Sequence, residues 1–132
     1  MCMKRIDIPM TQKSKYKIID YTKIDGVSCP CGIARRGLYD VEDFPGTIHR
    51  TDIDRKAKPH FHEKTTEVYY IISCEPGAVM LLDDDRIELH EEMAFYIPPG
   101  TTHYLDGKAK VFIIALPKFD PKDEFVVEDG FP

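Results

Sequence analysis

The sequence predicts an all-β chain built as a sandwich or barrel. Three observations predict it. Short runs rich in β-branched and aromatic residues recur along the chain, turn signals separate them at regular spacing, and no segment sustains a helical apolar period. A length of 132 residues suits one domain with one core. The core is expected over about residues 44–117, with an N-terminal arm and edge strands over 1–43 and a tail over 118–132.

In chain order, residues 1–15 read as a polar arm or edge strand and residues 16–21 as a short β-prone run. Residues 27–34 read as a strand interrupted by Pro30, which suits an edge. Arg35-Arg36-Gly37 opens a loop, and the alternating TIHRTDI over 47–53 is a strand. Residues 54–58 form a charged turn. Two strands follow, over 59–63 and 67–73, the second (EVYYIIS) being the most β-prone run in the chain. Glu75-Pro76-Gly77 turns into a strand over 78–82, and Asp83-Asp84-Asp85 caps the hairpin. Further strands are expected over 86–89, 93–97, 102–105 and 111–116. Asp120-Pro121-Lys122-Asp123-Glu124 predicts one short helical turn, with Asp as N-cap and Pro in the first position.

Composition excludes several classes of function. The chain is 42% hydrophobic and 31% charged with a net charge of -5, an ordinary globular balance and the wrong sign for a nucleic-acid surface. The longest apolar run, residues 111–116, is far short of the roughly 20 residues a membrane span needs. The opening MCMKRIDIPM has no apolar run behind its basic residues, so no signal peptide is visible. These features point to the cytosol, where Cys2, Cys29, Cys31 and Cys74 are expected as reduced thiols. The C-x-C of Cys29-Pro30-Cys31 has neither thioredoxin nor zinc-knuckle spacing.

The chemistry concentrates in two stretches. In KPHFHEKTTEVYY, His60 and His62 share one face of a strand by the two-residue period, and Glu67 heads the next strand. In IPPGTTH, His103 follows a turn stiffened by two prolines. Imidazoles with one carboxylate suit a divalent transition metal. His49 and His90 read as surface or pocket-edge residues. If Glu67 points inward, Tyr69 and Ile71 share its face, and one of Phe95 and Tyr96 lines the interior. Tyr69, Arg50 and Tyr104 are the candidate catalytic or pocket residues, with Arg50 as an anchor for an anionic substrate and Tyr104 at the pocket mouth. Glu63 and Glu92 are candidate bases only by proximity in sequence.

PHFHEKTTE resembles the first motif of the cupin superfamily, H-x-H followed by Glu, and IPPGTTH resembles the second, P-x-G-x-x-H. The resemblance implies a double-stranded β-helix, or jelly-roll barrel, of the RmlC-like kind. It also implies ligand roles for His60, His62, Glu67 and His103 around one Fe, Mn, Zn or Ni ion. Asp54 and Glu92 stand where the family has glycines, substitutions that bear on loop geometry and not on the ligands. Four protein ligands leave open positions, so the site is expected to be chemical and not merely structural. The implied function is a metalloenzyme acting on a small polar metabolite, either an Fe-dependent dioxygenase or a metal-dependent isomerase or lyase. The alternative is a non-catalytic module that binds or senses a metal and a small ligand. Neither reading involves nucleic acid or membrane, and a homodimer is expected because small cupins commonly dimerise.

Overall fold

The computed structural model describes residues 15–54 and 57–127; the arm expected over the first 14 residues lies outside them. The strands are β1 (Val27–Cys29), β2 (Gly32–Gly37), β3 (Thr47–Ile53), β4 (His60–Phe61), β5 (Thr66–Cys74), β6 (Val79–Leu82), β7 (Asp85–Glu88), β8 (Ala94–Ile97), β9 (His103–Asp106), β10 (Ala109–Leu116) and β11 (Phe125–Val126). They form two antiparallel sheets, ordered β1-β2-β3-β10-β5-β8 and β11-β4-β9-β6-β7. The all-β jelly-roll architecture is therefore the one expected.

Side chains directly opposite one another on antiparallel strands share a face, so the register defines rows across the larger sheet. One row runs Arg36, His49, Ile113, Tyr69, Phe95. The next, one pleat along, holds Ala34, Thr51, Val111 and Ile71. On the other side of the first lies Thr47, Ala115, Glu67, Ile97. These rows face the interior: Tyr69, Ile71, Val111 and Ala115 are all at most 1% exposed. Met80 and Leu105 of the smaller sheet close the same core. The interior is thus apolar toward Ile53 and Ala109 and becomes polar toward Thr47, His49 and Glu67, and that gradient positions the site.

Several expectations require correction. Residues 27–34 are not one strand but the β1–β2 hairpin, because Pro30 lies in a turn completed by Gly32 at φ +136. A Cβ at Gly32 would collide with the Asp52 carbonyl, so glycine is required there. The same turn brings Cys29 and Cys31 to a Cα separation of 5.1 Å and joins them in a disulfide, overturning the expectation of reduced thiols; the separation is within bridging range. Cys74 is free. Arg35-Arg36-Gly37 continues β2 and is not a loop. Residues 16–20 form no strand, and Tyr21–Lys23 is a 3-10 turn whose N-cap, Asp20, accepts the Thr22 N–H. The strand expected over 59–63 is only two residues long.

Candidate metal centre

β4 carries His60, the residue after it in alternation is His62, and His60 lies opposite His103 of β9. Glu67 heads β5. Gly100, at φ +87 in the Pro98-Pro99-Gly100 turn, donates its N–H to the His62 carbonyl at 2.7 Å. That bond ties the two motif stretches together. The ligand atoms of His60, His62, Glu67 and His103 all lie within 4.8 Å of one another, and the four residues are between 0% and 5% exposed.

Each histidine is oriented by a backbone carbonyl. The Nδ1–H of His60 donates to Lys58 O at 2.8 Å, that of His62 to Asp123 O at 2.8 Å, and that of His103 to Thr101 O at 2.9 Å. A carbonyl oxygen can only accept, so all three rings carry a proton on Nδ1, and in the neutral imidazole Nε2 is then a lone pair. The Nε2 atoms of His103 and His62 lie 3.0 and 3.1 Å from Glu67 Oε1. The His62 contact is off the hydrogen-bonding line, which leaves that nitrogen buried with no hydrogen-bond partner.

Lone pairs facing a carboxylate at such distances repel unless a cation lies among them. A proton answers one of these contacts; a divalent ion answers all of them at once. Ligands about 2.1 Å from one ion stand about 3 Å or somewhat more apart, which the two histidine–Glu67 spacings match. The residues therefore fit a metal. Anchoring of the distal nitrogen by a carbonyl is also the usual arrangement for a ligating histidine.

The electrostatics agree. Burial, reinforced by the neighbouring His103, holds His60 down at about 3, so it is neutral. Burial also opposes charge on His62, but the Glu67 carboxylate beside it outweighs that and draws its pKa up. Glu67 is held well below the usual carboxylate range: its burial would raise it, and the His103 and His62 rings beside it prevail.

The tail contributes what the sequence reading missed. Pro121–Asp123 is the expected helical turn, of 3-10 form, capped by Asp120. Asp123 turns back to the ligand loop. Its Oδ1 accepts the Glu63 N–H at 3.0 Å and its Oδ2 the Thr65 N–H at 3.0 Å, with the Lys64 N–H shared at 3.2 and 3.1 Å. Burial would raise its pKa, yet these N–H groups hold it low. Asp123 thus braces the loop between His62 and Glu67 while its carbonyl orients His62. Lys118 donates to the carbonyls of Leu38 and Val41, and the Tyr39 hydroxyl to Phe119 O at 3.2 Å, so the tail is fastened to the segment between β2 and β3.

His49 is a pocket residue but not an exposed one. It is 5% exposed, shares a 2.8 Å bond with the Thr47 hydroxyl, and meets the Phe119 ring edge-on at 5.4 Å. Phe119 also packs edge-on against His62, at 6.3 Å. Burial, then the nearby Arg36 cation, lowers His49 to about 4. Glu124, half-buried near His62 and Arg36, is pushed up by burial. A tail carboxylate that reaches the site from over fifty positions away leaves no spacing to read.

Among the sequence candidates, Tyr69 is inward, with its ring 5.8 Å from that of His103, and its hydroxyl is raised by burial. Arg50 is on the outer face of β3, 3.2 Å from Asp52, away from the histidines. Tyr104 alternates with buried His103 and Leu105 and so faces out from β9. Phe95 lines the interior and Tyr96 is 70% exposed. Glu63, His90 and Glu92 are exposed.

Comparison with known proteins fits this geometry. The Cupin domain family matches residues 49–115, a span containing both motif stretches and all four clustered residues. The chain belongs to the cupin family. A solved cupin-fold structure, a protein from Planctomyces limnophilus, is 30% identical with a TM-score of 0.81, covering 85% of this chain and 97% of that one. Pac13 of Streptomyces, a nucleoside dehydratase, shares the fold at 20% identity and a TM-score of 0.70, covering 87% and 92% of the two chains. An uncharacterized protein of Methanocaldococcus jannaschii is 28% identical over 80 residues, 58% of this cupin. The match spans 62% of that relative, less than two thirds of its length.

Proposed function

We propose that this cupin is a metal-dependent enzyme acting on a small polar metabolite, with His60, His62, Glu67 and His103 as the metal ligands. The observation that carries the reading is the set of three Nδ1-anchored imidazoles gathered with Glu67, all four ligand atoms within 4.8 Å and the Nε2 atoms of His62 and His103 at 3.1 and 3.0 Å from one carboxylate oxygen. A bound Fe, Mn, Zn or Ni ion would supply Lewis acidity toward a substrate oxygen or, for iron, a place for dioxygen. The chain's own residues do the rest. The backbone carbonyls of Lys58, Asp123 and Thr101 hold the rings, Tyr69 and Phe119 close apolar walls on the cluster, and the tail limits the entry of water.

Within the enzyme reading, the dioxygenase and the isomerase or lyase remain the two reaction classes. Metal analysis of protein purified without air, followed by an oxygen-uptake screen, separates them. Iron with substrate-dependent uptake selects the dioxygenase; zinc, manganese or nickel without uptake selects the other. A His60→Ala variant that still holds stoichiometric metal would remove the ligand assignment altogether. A second reading, a non-catalytic sensor, is favoured by the near-complete burial of the four residues. It predicts metal binding with no turnover. We also infer a homodimer, and we place it in the cytosol although a disulfide such as Cys29–Cys31 is uncommon there; separately, no helix among the described residues is long and apolar enough to cross a membrane.

A further inference from the structure

Three arginines lie on β2 and β3, and two of them share one carboxylate. Arg35 and Arg50 sit opposite one another on the outer face, and both reach Asp52, at 3.0 and 3.2 Å. Arg36 is on the other face, in the interior row with His49 and Tyr69. Among the described residues no carboxylate lies within 4.0 Å of its guanidinium. Its Nε is buried without a hydrogen-bond partner. The guanidinium carbon stands 4.6 Å over the Phe119 ring, and the same ring packs edge-on against His62 and His49. Arg36 and the ligand candidate His62 therefore pack on the same phenyl ring.

Arg36 is half-buried, and the carboxylate whose field reaches it, Glu124, is itself pushed toward its neutral form by burial, so the cation is incompletely compensated, which is costly. The aromatic face offsets part of that cost, and the Tyr39 hydroxyl lies beside the guanidinium, but neither neutralises it. A guanidinium whose Nε–H has no partner is suited to a planar or tetrahedral oxyanion.

We propose that Arg36 binds an anionic group of the substrate, a carboxylate or a phosphate, while a polar oxygen of the same molecule reaches the His60, His62, Glu67 and His103 cluster. The inference deepens the proposed function by naming its substrate class and rests on a small molecule entering that cluster. Charge supplied by the substrate would give Arg36 the ion pair that Asp52 gives Arg35 and Arg50, and a neutral analogue would not.

Calorimetric titration of the Mn(II)-loaded and the metal-free protein with malonate, inorganic phosphate and neutral malonamide tests this. Wild-type protein is expected to bind malonate or phosphate and not malonamide, the preferred anion telling carboxylate from phosphate. Arg36→Met should weaken that binding about ten- to a hundredfold, as expected for losing hydrogen bonds to a charged group, with unchanged manganese content. Arg36→Lys should restore part of it. His103→Ala separates the two readings: anion binding that survives there but not in Arg36→Met upholds the anion site even if no metal is held. Binding of neither anion by wild type, or equal binding by folded Arg36→Met, would overturn the proposal.

Discussion

Replacing Asp123 with Ala tests whether the tail is part of the metal centre or only its neighbour. The carboxylate accepts three consecutive backbone N–H groups, but they do not weigh equally. Glu63 and Lys64 are exposed, so water replaces the lost acceptor there. Thr65 is 2% exposed, and its N–H is left dry. An unmet buried donor costs about 1–3 kcal/mol, so the loss should be about 2 kcal/mol. For a chain of this size that lowers the thermal midpoint by roughly 8 °C. Because the braced loop joins His62 to Glu67, the variant should also bind metal about 10–100-fold more weakly, as for lost outer-sphere support elsewhere. Circular dichroism melts of metal-free protein read the first effect, and competition titration with a zinc-sensitive dye reads the second. Lys122→Ala, an exposed neighbour, is the control. A midpoint within about 1 °C of wild type together with zinc affinity within about twofold would refute the argument.

Further consequences can be checked together. His103→Ala and Glu67→Gln should each abolish stoichiometric metal, measured by elemental analysis, since each removes a quarter of the donor set. Metal-free stability should fall with pH. His49 is held at about 4 when folded against about 6.5 unfolded, so the unfolded chain binds the extra proton first. The penalty begins below about pH 6.5 and is complete below about 4; His60, at about 3, adds to the same slope, and His62, whose pKa is raised, opposes it. His49→Gln should flatten the slope in pH-dependent urea unfolding, and an unchanged slope would rule His49 out as a source. Glu92 occupies a left-handed backbone conformation at φ 69, which an L side chain adopts at a cost of about 1 kcal/mol or more. Glu92→Gly should raise the thermal midpoint by a few degrees, and a drop would show that the side chain has a role.

The strands that carry the core could be read from the chain because their alternation is strong. TIHRTDI became β3 with the predicted bounds, and EVYYIIS lies within β5 with Glu67, Tyr69 and Ile71 inward. Local spacing also brought the four clustered residues to notice, since i and i+2 on a strand must share a face. What stayed hidden depends on distant partners. Asp123 looked like part of a capped turn, and only the fold brings it to a loop sixty residues earlier. Arg36 looked like the start of a loop, because Pro30 was read as a flaw in a strand and not as the corner of a hairpin. His49 looked superficial, because a polar strand such as β3 does not announce which of its faces is interior.

The route of the tail has a consequence for the order in which the protein can become functional. The pieces that hold His62 and its loop include a carbonyl and a carboxylate from residue 123, later in the chain than His60, Glu67 and His103. Synthesis runs from the N-terminus and domains fold as units, so the other ligands are made well before the brace that sets the last ring. A nascent chain could gather its histidines without holding them in a binding geometry. Ion capture would then wait until the tail has been made, and chains ended before residue 118 would be expected to bind an ion more weakly.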